Sequence, residues 1–444
     1  MLNETGWAAP RFASHHPAHD DPAMEPPAST RTARTALALL LSINLFNYID
    51  RYVLAAVEPE IAKAFFGIHA KDPGNLAKMG FLATAFLVSY MLLVPLFGWL
   101  ADRMSRWVLV GISVGIWSLA TGGSGLAASF GLLLIMRCFV GIGEAGYGPS
   151  APTIISDLFP VAKRGAVLAW FYAAIPVGSA LGYVLGSKVG VAFGWRMAFF
   201  VVTPPGLILA ALSLFMADPR GRVKRARTDL PKGDSRWREY LALARNRSYV
   251  FDTLGMTAMT FALGGMSFWM PQYLDSRGLP PQARELFGEI TAATGLAATL
   301  LGGMAGDKLR GKLPGSYFLV SAAGMFLACP FIIAMLYISF PWAWVPMTIA
   351  IFFLFFNTGP TNAILANVTL PAVRATAFGL NILILHLFGD AAAPPFLGAF
   401  AGRFGWSAAF GVVAAATVLA GLLWLLGAAH LQKDMQLVEA AALL

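Results

Sequence analysis

The chain has 444 residues, 57% of them hydrophobic and only 12% charged, with a net charge of +9 and a mean hydropathy of +0.66. A soluble domain carries about 25% charged residues, so these totals exclude one, and repeated apolar runs identify an all-α polytopic membrane protein. Strict alternation is absent, which excludes a transmembrane β-barrel, and the basic residues lie between apolar spans, where membrane topology explains them better than nucleic acid does.

Residues 1–35 are rich in Pro, Ala and His and lack the apolar core of a signal peptide. They read as a disordered cytoplasmic tail, with His15, His16 and His19 solvated rather than metal-bound. Twelve apolar spans follow, at 36–57, 77–100, 107–127, 130–155, 165–188, 194–217, 248–274, 286–306, 315–338, 342–366, 374–399 and 406–429. They form two six-helix bundles, 36–217 and 248–430, joined by a basic cytoplasmic linker at 218–247 and followed by a C-terminal tail at 431–444. The end of the linker, Arg236 to Arg247, has the pattern of an amphipathic surface helix with Trp237, Tyr240 and Leu241 inward. Most of the 32 Lys and Arg residues fall in segments that an inside N-terminus places in the cytoplasm. That asymmetry puts both termini inside, as in a multi-pass protein of a bacterial inner membrane.

Span one carries Asn44, Asn47, Tyr48, Asp50, Arg51 and Tyr52 at its centre. A central Asp or Arg costs about 2.5–3.5 kcal/mol on insertion scales. Adjacent charges here are a mutually paired structural couple, an Arg that snorkels to an interface, or a gate or coupling site facing a wet cavity. Span four carries Arg137 and Glu144, seven residues apart and so on one helix face, about 10.5 Å from each other. Its Gly141-Ile-Gly143-Glu-Ala-Gly146 string matches a dinucleotide fingerprint, but no strand precedes it and it lies within a span. Close helix packing explains those glycines better. Span five repeats glycine each turn, at Gly178, Gly182, Gly186 and Gly190, with Pro176 beside them, which a passive packing stripe would explain.

An internal repeat supports two parallel halves. Phe193-Gly194-Trp195 recurs as Phe404-Gly405-Trp406, and the same offset of 211 residues maps Gly148-Pro149-Ser150 onto Gly359-Pro360-Thr361, Pro160 onto Pro371, and Gly178 onto Gly389. At that offset Arg137 maps to Thr348 and Glu144 to Phe355, while His386 and Asp390 map back to Ile175 and Ser179. Glycines and prolines persist, whereas ionisable groups differ. The charges therefore serve work rather than fold.

The arrangement resembles the major facilitator superfamily. Gly98-Trp-Leu-Ala-Asp102-Arg103-Met-Ser-Arg106 is close to that family's signature loop, with a weaker copy at Gly303, Asp307, Lys308, Arg310 and Lys312. The resemblance implies a gating latch in which the loop's Asp caps span eleven and its Arg pairs with an acid near the end of span four, here Asp157. Asn47 to Tyr52, Arg137 to Gly148, and His386-Leu-Phe-Gly-Asp390-Ala391 with Pro394 resemble the spinster branch more closely. That branch implies lysophospholipid or sphingoid-phosphate cargo, protons as coupling partners and alternating access in a monomer.

On this reading Glu144 is a protonation switch facing Arg51, with Asp50, Arg137, His386 and Asp390 as further proton-coupling candidates. Arg51, Arg137, Asn47, Asn357 and Asn381 are the candidates for cargo binding, the guanidinium forks suiting a phosphate. A carrier of a small organic anion or drug-like amphiphile on the same fold is the alternative. Motifs for metalloprotease, nucleophile-elbow or phosphate-loop chemistry are lacking, so neither an enzyme nor a cofactor is expected.

Overall fold

The computed structural model describes residues 30–101, 103–159, 161–218, 243–310, 312–370 and 373–442. Among these, every regular element is a helix. The first half contains α1 (Thr30–Ala56), the short α2 (Glu58–Phe66), α3 (Pro73–Ala101), α4 (Arg106–Gly125), α5 (Phe130–Leu158), α6 (Val161–Phe193) and α7 (Trp195–Leu214). The second contains α8 (Arg247–Ser276), α9 (Gln282–Arg310), α10 (Ser316–Tyr337), α11 (Trp344–Phe355), α12 (Thr358–Asn367), α13 (Arg374–Leu385), α14 (Ala393–Phe404), α15 (Trp406–Ala428) and α16 (Leu431–Ala442). Asp102 and residues 219–242, which include Trp237, Tyr240 and Leu241 of the expected surface helix, lie outside the described residues.

Among the described residues, eleven stretches are helical, long and apolar enough to cross a membrane. The 30-residue α8, about 45 Å long at 1.5 Å per residue, is long enough as well but interrupts its apolar run with Asp252 and Gln272. Span ten is not one helix: α11 stops and α12 restarts at Asn357, whose Nδ2 donates to Leu354 O at 2.8 Å. Span eleven is interrupted too, by a π-helical turn over His386–Asp390 between α13 and α14. Interrupted helices at membrane depth are tolerated where they line a site or pack on protein.

The sequence repeat is visible as geometry. Gly194 and Gly405 occupy positive φ, 88° and 85°, and each opens the helix that follows, α7 or α15. Only glycine enters that region without strain. Gly178 faces Leu45 and Tyr48 of α1, and its repeat mate Gly389 faces Thr257 and Thr260 of α8. The first helix of each half therefore packs against the glycine-bearing element of the same half. The Gly178–Gly190 stripe thus packs α6 onto α1 within a half, as a packing stripe would, and not across the two halves. A Cβ at Gly182 would lie 2.7 Å from both Ile49 O and the Tyr52 side chain, so the close approach depends on its absence.

The halves meet along α3–α14 and α6–α9. Hydrogen bonds across this seam run from Thr84 Oγ1 to Ala391 O (2.5 Å), Ser187 Oγ to Pro281 O (2.9 Å), Arg284 Nη1 to Ala56 O (2.8 Å) and Tyr183 Oη to Ser267 O. Lys188 pairs with Glu285 at 3.5 Å. These ties all lie toward the end of the bundle away from the chain termini, so this is the closed end.

The C-terminal segment is more ordered than a tail. Residues 431–442 form α16, whose Asp434 Oδ2 accepts from Ser248 N at 2.9 Å at the start of α8. A carboxylate at a helix N-terminus is favoured by the unpaired N–H groups there.

Candidate functional site

α5 approaches α4 closely because Gly143 has no side chain: a Cβ there would lie 2.6 Å from Trp117 N and 2.7 Å from Ser113 O. That approach sinks the neighbouring Glu144 to 1% exposure. α1 supplies its partner. Arg51 Nε donates to Glu144 Oε2 at 2.9 Å, and Arg51 Nη2 closes on the same oxygen. The Arg51 side chain keeps 24% of its surface exposed, so the pair is sealed on the carboxylate side and open on the guanidinium side. Aromatic faces hold the guanidinium, with Tyr48 at 5.0 Å and Phe86 at 4.7 Å from its carbon. Such contacts stabilise a cation by about 0.5–2 kcal/mol.

Asp50 does not pair with Arg51. One residue turns a helix by about 100°, and Asp50 points to α4, where Thr121 Oγ1 donates to its Oδ2 at 2.6 Å. Arg137 is 1% exposed. It shares the Phe86 ring with Arg51, at 5.5 Å, and lies within electrostatic reach of Asp50 and Glu144. The four expected charges are thus brought together, but as one direct ion pair and two flanking groups.

Several buried polar atoms here have no hydrogen-bond partner among the described residues: Glu144 Oε1, Asp50 Oδ1, Arg137 Nε and Nη1, and Asn47 Nδ2. Leaving one such group unsatisfied costs about 1–3 kcal/mol, and clusters of them are retained where function uses them.

The remaining candidates divide. His386 Nδ1 and Asp390 Oδ2 are 2.7 Å apart on the π-helical turn, each about a quarter exposed. Tyr52, next to Arg51 in the chain, lies within electrostatic reach of Asp390. Asn357 is buried at the α11–α12 break with its Oδ1 unpartnered. Asn381 is turned onto α8, donating to Thr253 Oγ1 at 3.0 Å. Asn44 is likewise spent on Phe171 O at 2.8 Å.

At the opposite end, Arg106 holds Asp157 at 2.7 Å and also Asp218 at 3.0 Å. The Arg106 backbone N donates to Asp218 Oδ2 at 2.8 Å, so Asp218 caps α4. Arg103 stands apart, exposed, stacked over Trp99 at 4.0 Å and bonded to its carbonyl. Asp307 in the second loop accepts from Tyr317 Oη at 2.8 Å.

Thr121, Phe86, Asp218 and the seam residues Glu58, Glu60 and Arg284 were not singled out from sequence. Asp218 follows the last apolar residues of span six, and the acids of Val57-Glu-Pro-Glu close span one. Charges at span ends were the available signal. Thr121 and Phe86 carry none, being ordinary span residues until folded.

The family model for the Major Facilitator Superfamily matches residues 40–389. The chain belongs to that superfamily, in its spinster branch. It is 36% identical over 414 residues to protein spinster homolog 3 of Danio rerio, covering 88% of this chain and 82% of that protein. Identity to protein spinster homolog 1 of Homo sapiens is 39% over 402 residues, covering 83% and 74%. The sphingosine-1-phosphate transporter SPNS2 of Xenopus tropicalis is 36% identical over 389 residues, covering 83% and 74%. The fold matches that of a bacterial homologue of the human lysosomal transporter spinster, in an inward-facing and unoccupied conformation. There the TM-score is 0.79 and the identity 24%, over 92% of this chain and 99% of that one. This spinster-branch chain is therefore a multi-pass membrane transporter, and its relatives are transporters rather than enzymes.

Proposed function

We propose that the protein is a secondary transporter that moves a lysophospholipid or sphingoid-phosphate-like amphiphile by alternating access, with protons as the coupling ion. The observation that carries this reading is the Arg51–Glu144 pair, a carboxylate sealed at 1% exposure against a guanidinium that keeps an open face. Protonating Glu144 cancels its hold on Arg51. The freed guanidinium, still carried by Tyr48 and Phe86, then offers its fork to an anionic headgroup. The Glu144 carboxylate and the cargo anion thus compete for one cation, so a proton on Glu144 favours cargo on Arg51, and that coupling links their movements. His386 and Asp390 are a second place to hold a proton, on the other half.

The relative named as a sphingosine-1-phosphate transporter supports phosphate-bearing lipid cargo. We place the protein in a bacterial inner membrane with both termini in the cytoplasm, following its basic loops.

The test is uptake of a fluorescent lysophospholipid into proteoliposomes under an imposed pH gradient. Gradient-driven uptake, competed by sphingoid phosphate but not by small carboxylates, supports the reading. Competition by small carboxylates alone replaces the cargo with an organic anion, and uptake by Glu144→Gln with full pH dependence removes the switch.

A further inference from the structure

α2 lays two carboxylates against the first turn of α9, at the closed end of the seam. Both oxygens of Glu60 lie 2.9 Å from Arg284 Nη1, and the same nitrogen donates to Ala56 O at 2.8 Å. Arg284 is 3% exposed, so its cation is committed across the halves. Glu58 stands at the start of α2, next to that bridge and 0% exposed. Neither of its carboxylate oxygens has a hydrogen-bond partner among the described residues.

The charges that act on Glu58 do not neutralise it. Glu60 on its own helix and Asp275 at the end of α8 repel its anion, and Arg284 on α9 attracts it. One cation against two acids already leaves this spot negative, and an ionised Glu58 would add a third acid. Burying an unpaired carboxylate is costly enough that such a group neutralises instead. Burial, reinforced by Glu60, raises the Glu58 carboxyl from its ordinary 4.5 to about 8.

We propose that Glu58 is a proton-binding site of the seam itself, occupied while the two halves are shut at this end and emptied into the adjoining solution when they part. It takes from the proposed function only that the halves separate here, and not that Glu144 carries a proton. A hydrated Glu58 in the open state returns to its ordinary value, so the proton stabilises the shut state. That stabilisation is complete below about pH 4.5 and is lost as pH rises through about 8. Between those values, one linked proton changes the shut-to-open ratio about tenfold per pH unit.

Spin labels at Lys63→Cys on α2 and Gln282→Cys on α9 read the seam in the full chain in nanodiscs, with Cys138→Ser and Cys329→Ser removing the native thiols. Pulsed dipolar distances are collected from pH 5 to 9. The otherwise wild-type chain is expected to lose its short-distance population at about tenfold per unit toward pH 8. Glu58→Gln, permanently neutral, holds the short distance throughout. Glu60→Gln keeps the slope with its midpoint moved down, since a repelling charge is gone, so the proposal stays testable even if Glu58→Gln does not fold. Glu144→Gln keeps the slope as well. A flat profile in the wild-type background, or an unchanged slope in Glu58→Gln, overturns the proposal. A slope lost in Glu144→Gln and kept in Glu58→Gln overturns it too, while leaving the Glu144 switch standing.

Discussion

Arg51 and Glu144, 93 positions apart in the chain, share a hydrogen bond of 2.9 Å in the middle of the first bundle. Only the carboxylate is sealed. The guanidinium stays partly open and rests on Tyr48 and Phe86. A cation with one committed partner and one free face suits exchange between a proton-sensitive acid and an anionic cargo.

Arg51→Lys tests the fork rather than the charge. Lysine keeps the cation but loses the planar donors and the stacking on two rings. Loss of those contacts at about 1–2 kcal/mol corresponds to roughly a tenfold weaker cargo affinity, read by titrating lysophospholipid against the purified variant. Unchanged affinity would show that Arg51 does not touch the headgroup.

Thr121→Val removes the donor to Asp50 with little change of shape. Hydrogen bonds to charged groups contribute about 1.5–3 kcal/mol, so the variant is expected to unfold at a lower temperature in detergent. Thr121→Ser, which keeps the hydroxyl, is expected to recover most of the loss. Equal melting of all three forms would mean that the bond contributes nothing.

Arg106→Ala removes the guanidinium that Asp157 and Asp218 share, and leaves the backbone bond to Asp218 in place. Sealed ion pairs lose about 3–5 kcal/mol when one partner is removed, and here Asp157 is 43% exposed, so about 2 kcal/mol is expected. The loss appears as reduced thermal stability and as faster labelling of single cysteines placed near the start of α4. Asp218→Asn is expected to reproduce more of this effect than Asp157→Asn, because the Asp218 side chain is 11% exposed against 43% for Asp157. The opposite order would mean that Asp157 carries the larger share of the Arg106 contact.

Gly182→Val places branched atoms where even a Cβ meets Ile49 O and Tyr52 at 2.7 Å. Overpacking of this kind costs about 1–3 kcal/mol. It also displaces the part of α1 that carries Arg51, so transport is expected to fall along with stability. Gly74→Ala, where a Cβ meets nothing within 4 Å, is the matched control. If both variants behave alike, close packing of α1 on α6 is not what the glycine provides.

Much of this molecule is written locally in its sequence. A run of about 20 apolar residues must satisfy its backbone internally once in a bilayer, so the spans follow from composition alone. The two-half plan followed from the 211-residue offset, and Asp157 followed from the signature loop. Asp50, Arg51, Arg137 and Glu144 were conspicuous because charges inside apolar spans are expensive. Which partner each charge takes was not local. A turn of about 100° per residue sends Asp50 to Thr121 and Arg51 to Glu144, and that choice depends on which helices flank α1. The Arg284–Glu60 bridge joins residues 224 positions apart, and no period or motif connects them. Nor could sequence say that the span-five glycines bind α1 within one half, since a small-residue stripe fits any close neighbour. Composition and periodicity decided the apolar spans and their expensive charges; the folded contacts alone decided which charge neutralises which, because electrostatic partnership depends on distance in space.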